Sequence, residues 1–170
     1  MKNILKYFAL AAVVFTTACD KDPDIWQTNT KDINGTWEVT VVQDDETLVS
    51  HEDGCQVYIY NTNANDDNIW IETDDALLPY KVKANSVPAN LSFQGNDVVE
   101  LPDYGVTIKE VRNGIVVKKG VQVQPEFLLG GPVVADSIYF EVLYQDQEDG
   151  QDYILKYSGY RHTGWESYVE

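Results

Sequence analysis

The sequence predicts an all-β protein: a single antiparallel up-and-down barrel of about eight strands, with little helix. Three observations carry that expectation. Between Gly35 and Trp165 the apolar segments are short, rich in β-branched and aromatic residues, and separated by turn residues at nearly even spacing. No stretch sustains a 3.6-residue apolar period. The last segment, Asp152 to Arg161, has a period of two that puts Tyr153, Leu155, Tyr157, Gly159 and Arg161 on one face. An arginine keeps its proton, so on such a face it needs acceptors or an aromatic ring to lie on. Trp37, opening the first segment just after Gly35, offers that ring. Ends that meet there close the sheet and remove the edges that template aggregation.

Residues 1–18 read as a secretory signal outside the fold. Lys2 and Lys6 precede the apolar run from Tyr7 to Phe15, and Thr16, Thr17 and Ala18 place small residues before Cys19. That run is too short to cross a ~30 Å hydrocarbon core. The setting of Cys19 resembles the lipobox of bacterial lipoproteins, in which the cysteine is acylated and becomes the mature N-terminus. Two or more acyl chains anchor a protein stably where one does not. Residues 19–33 read as an acidic tether, in which Asp20, Asp22 and Asp24 resemble the export tag of Bacteroidetes surface lipoproteins. Residues 34–170 are then the barrel domain. The expected location is the bacterial outer membrane, held by the lipid anchor, with the leaflet left open.

The mature chain has 152 residues, enough for one domain with a real core. The signal holds two of the twelve Lys and Arg and none of the 28 Asp and Glu, leaving ten cations against 28 anions, a net charge of −18. Such acidity argues against nucleic acid and anionic headgroups as partners. With Cys19 lipidated, Cys55 has no second thiol for an internal disulfide, and its alternation with Val57 and Ile59 makes it a small buried hydrophobe.

The strands expected in order are Trp37–Val42, Cys55–Tyr60, Ile69–Thr73, Tyr80–Ala84, Val98–Leu101, Val106–Val111, Ile115–Val123, Ser137–Tyr144 and Asp152–Arg161. Arg112 to Ile115 reads as a tight hairpin, because Asn113 and Gly114 accept the positive φ angles of a two-residue primed turn. Asp149 and Gly150 turn the last hairpin inside a longer acidic loop.

The residues with chemical potential reduce to few. Ser50, His51, Glu52 and Asp53 contain the ingredients of a hydrolase triad, yet neighbours along an extended chain point apart, whereas a triad must converge. No Gly-x-Ser-x-Gly elbow is present. His162, the other histidine, reads as a surface residue. Asn61 to Glu72 loosely mimics a calcium loop, but Asp66 stands where that loop needs glycine, so a polar hairpin is the better reading. Two histidines and one thiol make zinc a poor fit. No catalytic residue, metal or cofactor is therefore expected. Asn34 opens a glycosylation sequon of little meaning in a bacterial lipoprotein. Asp136, Ser137 and Ile138 resemble an O-glycan acceptor of some Bacteroidetes.

The aromatic set is more informative. Trp37, Phe140, Tyr144, Tyr153 and Tyr157 share faces with Val39, Val41, Ile138, Val142 and Leu155. In a barrel of about eight strands that face either fills a solid core or lines a cavity for one small ligand. Tyrosines bring hydroxyls to an apolar wall, which suits amphipathic ligands. Phe140, Tyr144, Tyr153 and Tyr157 are the candidate ligand-binding residues.

Gly35 and Trp37 at one end and Arg161 at the other resemble the lipocalin and calycin signature, in which the arginine packs across the tryptophan where first and last strands close a barrel. The lipobox-like Cys19, Gly35-Thr36-Trp37, Asn113 to Val116, Asp136 to Phe140 and Tyr157 to Trp165 together resemble one lipocalin-like group, the Bacteroidetes lipid-binding putative hydrolases. The likeness runs from about Trp26 to Trp165. The family ending is Arg-Arg-Thr-Gly-Phe, where this chain has Arg161-His162-Thr163-Gly164-Trp165. The resemblance implies a calycin-type barrel and a lipid or other small hydrophobic ligand, and hydrolase activity by name only. The leading expectation is an anchored, non-catalytic binding barrel. The alternatives are an esterase-like hydrolase, or an accessory surface lipoprotein whose outer face binds a protein or glycan. Ligand identity and oligomeric state stay open.

Overall fold

The computed structural model describes residues 28–44, 48–49, 55–64, 66–73, 78–123 and 132–162. Within them lie nine strands: β1 Gly35–Gln43, β2 Cys55–Asn61, β3 Asn68–Thr73, β4 Lys81–Val87, β5 Ser92–Gly95, β6 Val99–Leu101, β7 Val106–Val123, β8 Val133–Asp146 and β9 Asp152–Arg161. Every pairing is antiparallel. Neighbours follow sequence order except that β1 pairs with β9 and β5 pairs with β7, which closes the sheet. β5 and β6 run along the same edge of β7: Gly95 stands opposite Val111, and Val99 opposite Ile108. They are two halves of one interrupted strand. The architecture is thus the eight-stranded closed barrel that the period-two segments predict, with two three-residue 3-10 turns, Pro88–Asn90 and Pro102–Tyr104.

Alternation sorts the side chains. β4 alternates strictly between exposed and buried, so that Val82, Ala84 and Ser86 face in. Trp37, Val39 and Val41 of β1, Ile69 and Ile71 of β3, and Phe140 and Val142 of β8 join them in one continuous core. The strands run so that Gly35, Asn61 and Arg161 lie at one end, and Gln43, Thr73 and Asp146 at the other. The first of these ends is plugged. Residues 28–34 turn beneath it, with the Ile33 and Asn34 N–H groups both donating to the Thr30 carbonyl at 2.8 and 3.0 Å, and with Thr30 and Ile33 wholly buried.

One local expectation fails. Arg112 to Ile115 is no hairpin. β7 runs through it without reversing, and Arg112 faces Glu141 while Ile115 faces Tyr139, so three steps on β7 oppose two on β8. The extra residue is absorbed as a β-bulge, with Asn113 in the left-handed region at φ 56. Asn-Gly satisfies a bulge as well as a turn; long-range pairing with all of β8 decides between them. The first two bulges in β7 each insert one residue and shift the phase of alternation, so Ile108, Val111 and Val116 all face in; the third, between Val117 and Val121, inserts two. Gly114 is tied to this arrangement, because a Cβ there would lie 2.4 Å from the Phe93 ring. Phe93 sits on β5, a strand the sequence reading omits, since Ser92–Gly95 is too short and polar to register.

Gly159 carries a comparable burden. A Cβ on it would lie 1.8 Å from the Glu38 carbonyl and 2.7 Å from the Val39 Cα. Backbone atoms of the paired strand cannot swing aside as a side chain can. Gly159→Ala is expected to destabilise the domain by about 3 kcal/mol, at the top of the overpacking range. A thermal melt within 2 °C of the parent would contradict that role.

Candidate functional site

At the plugged end, β1 and β9 bring Trp37 directly opposite Arg161. The Arg161 Cζ lies 4.5 Å from the centroid of the buried Trp37 ring. Its Nε donates to Asp136 Oδ2 at 3.2 Å, its Nη2 to the Asp32 carbonyl at 2.7 Å, and its Nη1 to the Asn34 carbonyl. A Cβ at Gly35 would stand 2.8 Å from Nη1, so the missing side chain makes room for the guanidinium. Asp136 is the member that sequence reasoning assigned elsewhere. Besides Arg161 it accepts from Lys118 Nζ at 3.1 Å and from the Lys119 N–H at 3.0 Å, inside the third bulge of β7. Burial pushes its carboxyl pKa up, but the Lys119 N–H, Lys118 and Arg161 outweigh that and hold it below the usual carboxylate value.

The four candidate ligand residues form two stacked pairs on the inner face of β8 and β9. Phe140 and Tyr157 stack at 4.5 Å between centroids and are buried. Tyr144 and Tyr153, one step nearer the other end, stack at 5.6 Å and are only partly buried. Two further rings belong with them. Phe93 lies 5.8 Å from Phe140, and Tyr80 meets Tyr157 edge-on at 6.3 Å. Tyr80 sits just ahead of β4, where its N–H donates to Thr73 Oγ1 at 3.0 Å. Its inward phase with Val82 and Ala84 was the available signal.

The buried hydroxyls of Tyr80 and Tyr157 face each other closely enough to interact as a hydrogen-bonding pair, and neither has a partner beyond the other. They lie close enough to perturb one another, and both feel the buried Cys55 thiol. Burial drives both phenol pKa values well above their ordinary range. They are therefore neutral donor–acceptors at any physiological pH. Above them the rim is acidic: burial, then Asp146, Asp44 and Asp149, raise the Tyr144 pKa, and Tyr153 donates to Asp149 Oδ2 at 2.8 Å.

Other sequence-flagged residues fall apart. His162 is not a plain surface residue: its Nδ1 lies 3.0 Å from Glu38 Oε1, on the outer wall at the plugged end. Ser50 to Asp53, Cys19, Trp26 and Trp165 lie outside the described residues. In the calcium-like loop, Asp66 accepts from Thr62 Oγ1, the Asn68 N–H and Asn68 Nδ2, so its oxygens are spent within the loop. Among the described residues no cluster of His, Cys, Asp and Glu could hold a metal ion. On the outer wall, where β5 leaves β4, a polar groove of about 570 Å³ is lined by Asn68, Asn85, Gln94 and Asn96 together with Lys83, Asp97 and Glu110. Nearby, Lys81 lies over the rings of Tyr60 and Trp70 at 5.2 and 5.1 Å.

A protein-family profile described as lipid-binding putative hydrolase matches residues 22–166, nearly the whole barrel with its lead-in. The chain belongs to this family. No curated protein matches it. Among solved structures it is similar to a structural genomics protein of unknown function from Bacteroides ovatus, at 13% identity and a TM-score of 0.43. That likeness covers 76% of this chain and 42% of the other. For this lipid-binding family member, the inner aromatic column beneath the acidic rim is the candidate site. The Glu38–His162 pair stands at the opposite end of the barrel.

Removing the guanidinium by Arg161→Ala is expected to cost roughly 1–3 kcal/mol through lost cation–π contact and packing. Denaturant titration measures it, and a loss below 0.5 kcal/mol would show that the residue is dispensable. Asp136 adds a pH signature. Its folded pKa lies below the unfolded value of 3.8, so its contribution is present above about pH 4 and vanishes as pH falls through the folded pKa. Asp136→Asn should therefore lower the melting temperature at pH 7 and flatten its fall between pH 4 and pH 2. An unchanged acid limb would disprove the linkage.

Proposed function

We propose that the protein is a lipoprotein anchored through Cys19 whose barrel binds a lipid or similar small hydrophobic molecule and releases it unchanged. One observation carries the reading: two hydroxyls, Tyr80 and Tyr157, are buried side by side within the aromatic interior with no hydrogen-bond partner beyond each other. An unsatisfied buried hydroxyl costs about 1–3 kcal/mol, so the core would be more stable with apolar residues there. A ligand's polar group completes the pair. The partly buried Tyr144–Tyr153 stack marks the entrance, and membership of a lipid-binding family supports a lipid as the occupant. The anchor rests on the apolar run and small residues before Cys19.

Ester hydrolysis is the competing chemistry. It needs a nucleophile, a base and oxyanion donors converging on one carbonyl. The described acid–histidine pair stands away from the aromatic column, which favours binding alone. The amide-lined groove on the outer wall favours a second reading, an accessory lipoprotein that engages a glycan or protein there.

Extraction of lipid from the purified chain, with saturable fluorescence of the uncharged probe N-phenyl-1-naphthylamine, tests binding; neither signal would refute it. Turnover of chromogenic esters that disappears in His51→Ala or His162→Ala would refute the non-catalytic reading. Cys19→Ser should leave the precursor uncleaved and free of the membrane fraction, whereas normal retention would refute the anchor.

A further inference from the structure

Among the described residues the interior offers hydrogen bonds but no positive charge. Its buried polar side chains, beyond the tyrosines, are Thr30, Thr62, Thr73 and Ser86; among the described residues no Lys, Arg or His is buried. Several cations are committed elsewhere. Arg161 is held at the plugged end, Arg112 pairs with Glu141 on the outer wall at 2.8 Å, and Lys109 pairs with Asp152 at 2.6 Å. The entrance is of the opposite sign: Asp44, Asp146 and Asp149 surround Tyr144. Tyr80 and Tyr157, by contrast, are neutral hydroxyls, 2% and 1% exposed, each able to donate one bond and accept another.

These facts constrain what the hydroxyls can receive. An ionised carboxylate or phosphate drawn inside would lose its water and meet no countercharge, which is strongly disfavoured. It would also pass an acidic rim. A hydroxyl, ester or amide loses far less on desolvation and matches two neutral phenols bond for bond. We infer that the barrel selects uncharged amphiphiles, such as a fatty alcohol or monoacylglycerol, and that Tyr80 and Tyr157 hold the polar group. This rests on the proposed binding of lipid within the barrel and names the class of lipid.

The test is a matched pair sharing one hydrocarbon chain. Oleyl alcohol and oleate, each delivered from cyclodextrin at pH 7.5, compete against N-phenyl-1-naphthylamine on the full chain. The alcohol is expected to displace the probe at least tenfold more tightly than oleate. Tyr80→Phe and Tyr157→Phe keep ring packing, so each should weaken the alcohol about tenfold without lowering the melting temperature, while leaving the probe's own affinity intact. Oleate binding as tightly as the alcohol would overturn the selectivity and leave lipid binding standing. Full alcohol affinity in both phenylalanine variants would also overturn it, since the hydroxyls would then not hold the polar group. Failure of both lipids and the probe would overturn the binding reading itself.

Discussion

The pairing of the first strand with the last is the constraint on which the structure depends. A sheet of this length left open would present two bare edges; β1 against β9 removes one seam and β5 against β7 the other. The β1–β9 seam is the more exacting. Gly159 lets the two backbones approach, and Arg161 then folds back across Trp37 to collect the carbonyls of Asp32 and Asn34. One guanidinium thus joins β1, β8, β9 and the plug turn. The carbonyls it donates to belong to the turn that seats Ile33 beneath the core, so the same residue closes the seam and seals the end.

Sealing one end directs the remaining chemistry toward the other. The core around Ile33, Ile59 and Ile69 is aliphatic apart from the Trp37 ring, whose Nε1, like Thr30 Oγ1, is buried without a partner. Above it the lining becomes aromatic and hydroxyl-bearing, from Phe140 and Tyr157 to Tyr80 and then the partly buried Tyr144 and Tyr153. A buried polar group that the fold itself leaves unsatisfied weakens stability. Among the described residues this interior holds neutral hydroxyls and no buried cation, and the proposed selectivity for uncharged head groups rests on that.

Much of this was legible in the residues. Alternation marked Trp37 to Val42, Ile69 to Thr73 and Asp152 to Arg161, because each packs one face on the core and a period-two pattern survives wherever pairing is regular. It failed where pairing is irregular. In β7 two one-residue bulges shift the phase and a third irregularity inserts two residues, so no single period describes the strand, and the local turn signal at Asn113 and Gly114 dominates. Ser92 to Gly95 was invisible because its one core residue, Phe93, matters for what lies opposite it. Tyr80 was counted as a strand start, and its partnership with Tyr157 is a distance between residues 77 apart in sequence.

By itself, then, the sequence determined the all-β class, the closed barrel and the residues that tie its two ends. These follow from local alternation, turn chemistry and the requirement that a guanidinium find acceptors. Only the tertiary structure decided that Asn-Gly makes a bulge, that Asp136 completes the arginine site, and that Tyr80 and Tyr157 bring two buried hydroxyls together with no partner beyond each other. Each of these depends on which strand lies opposite which. That choice is made by long-range register, which no window of neighbouring residues contains.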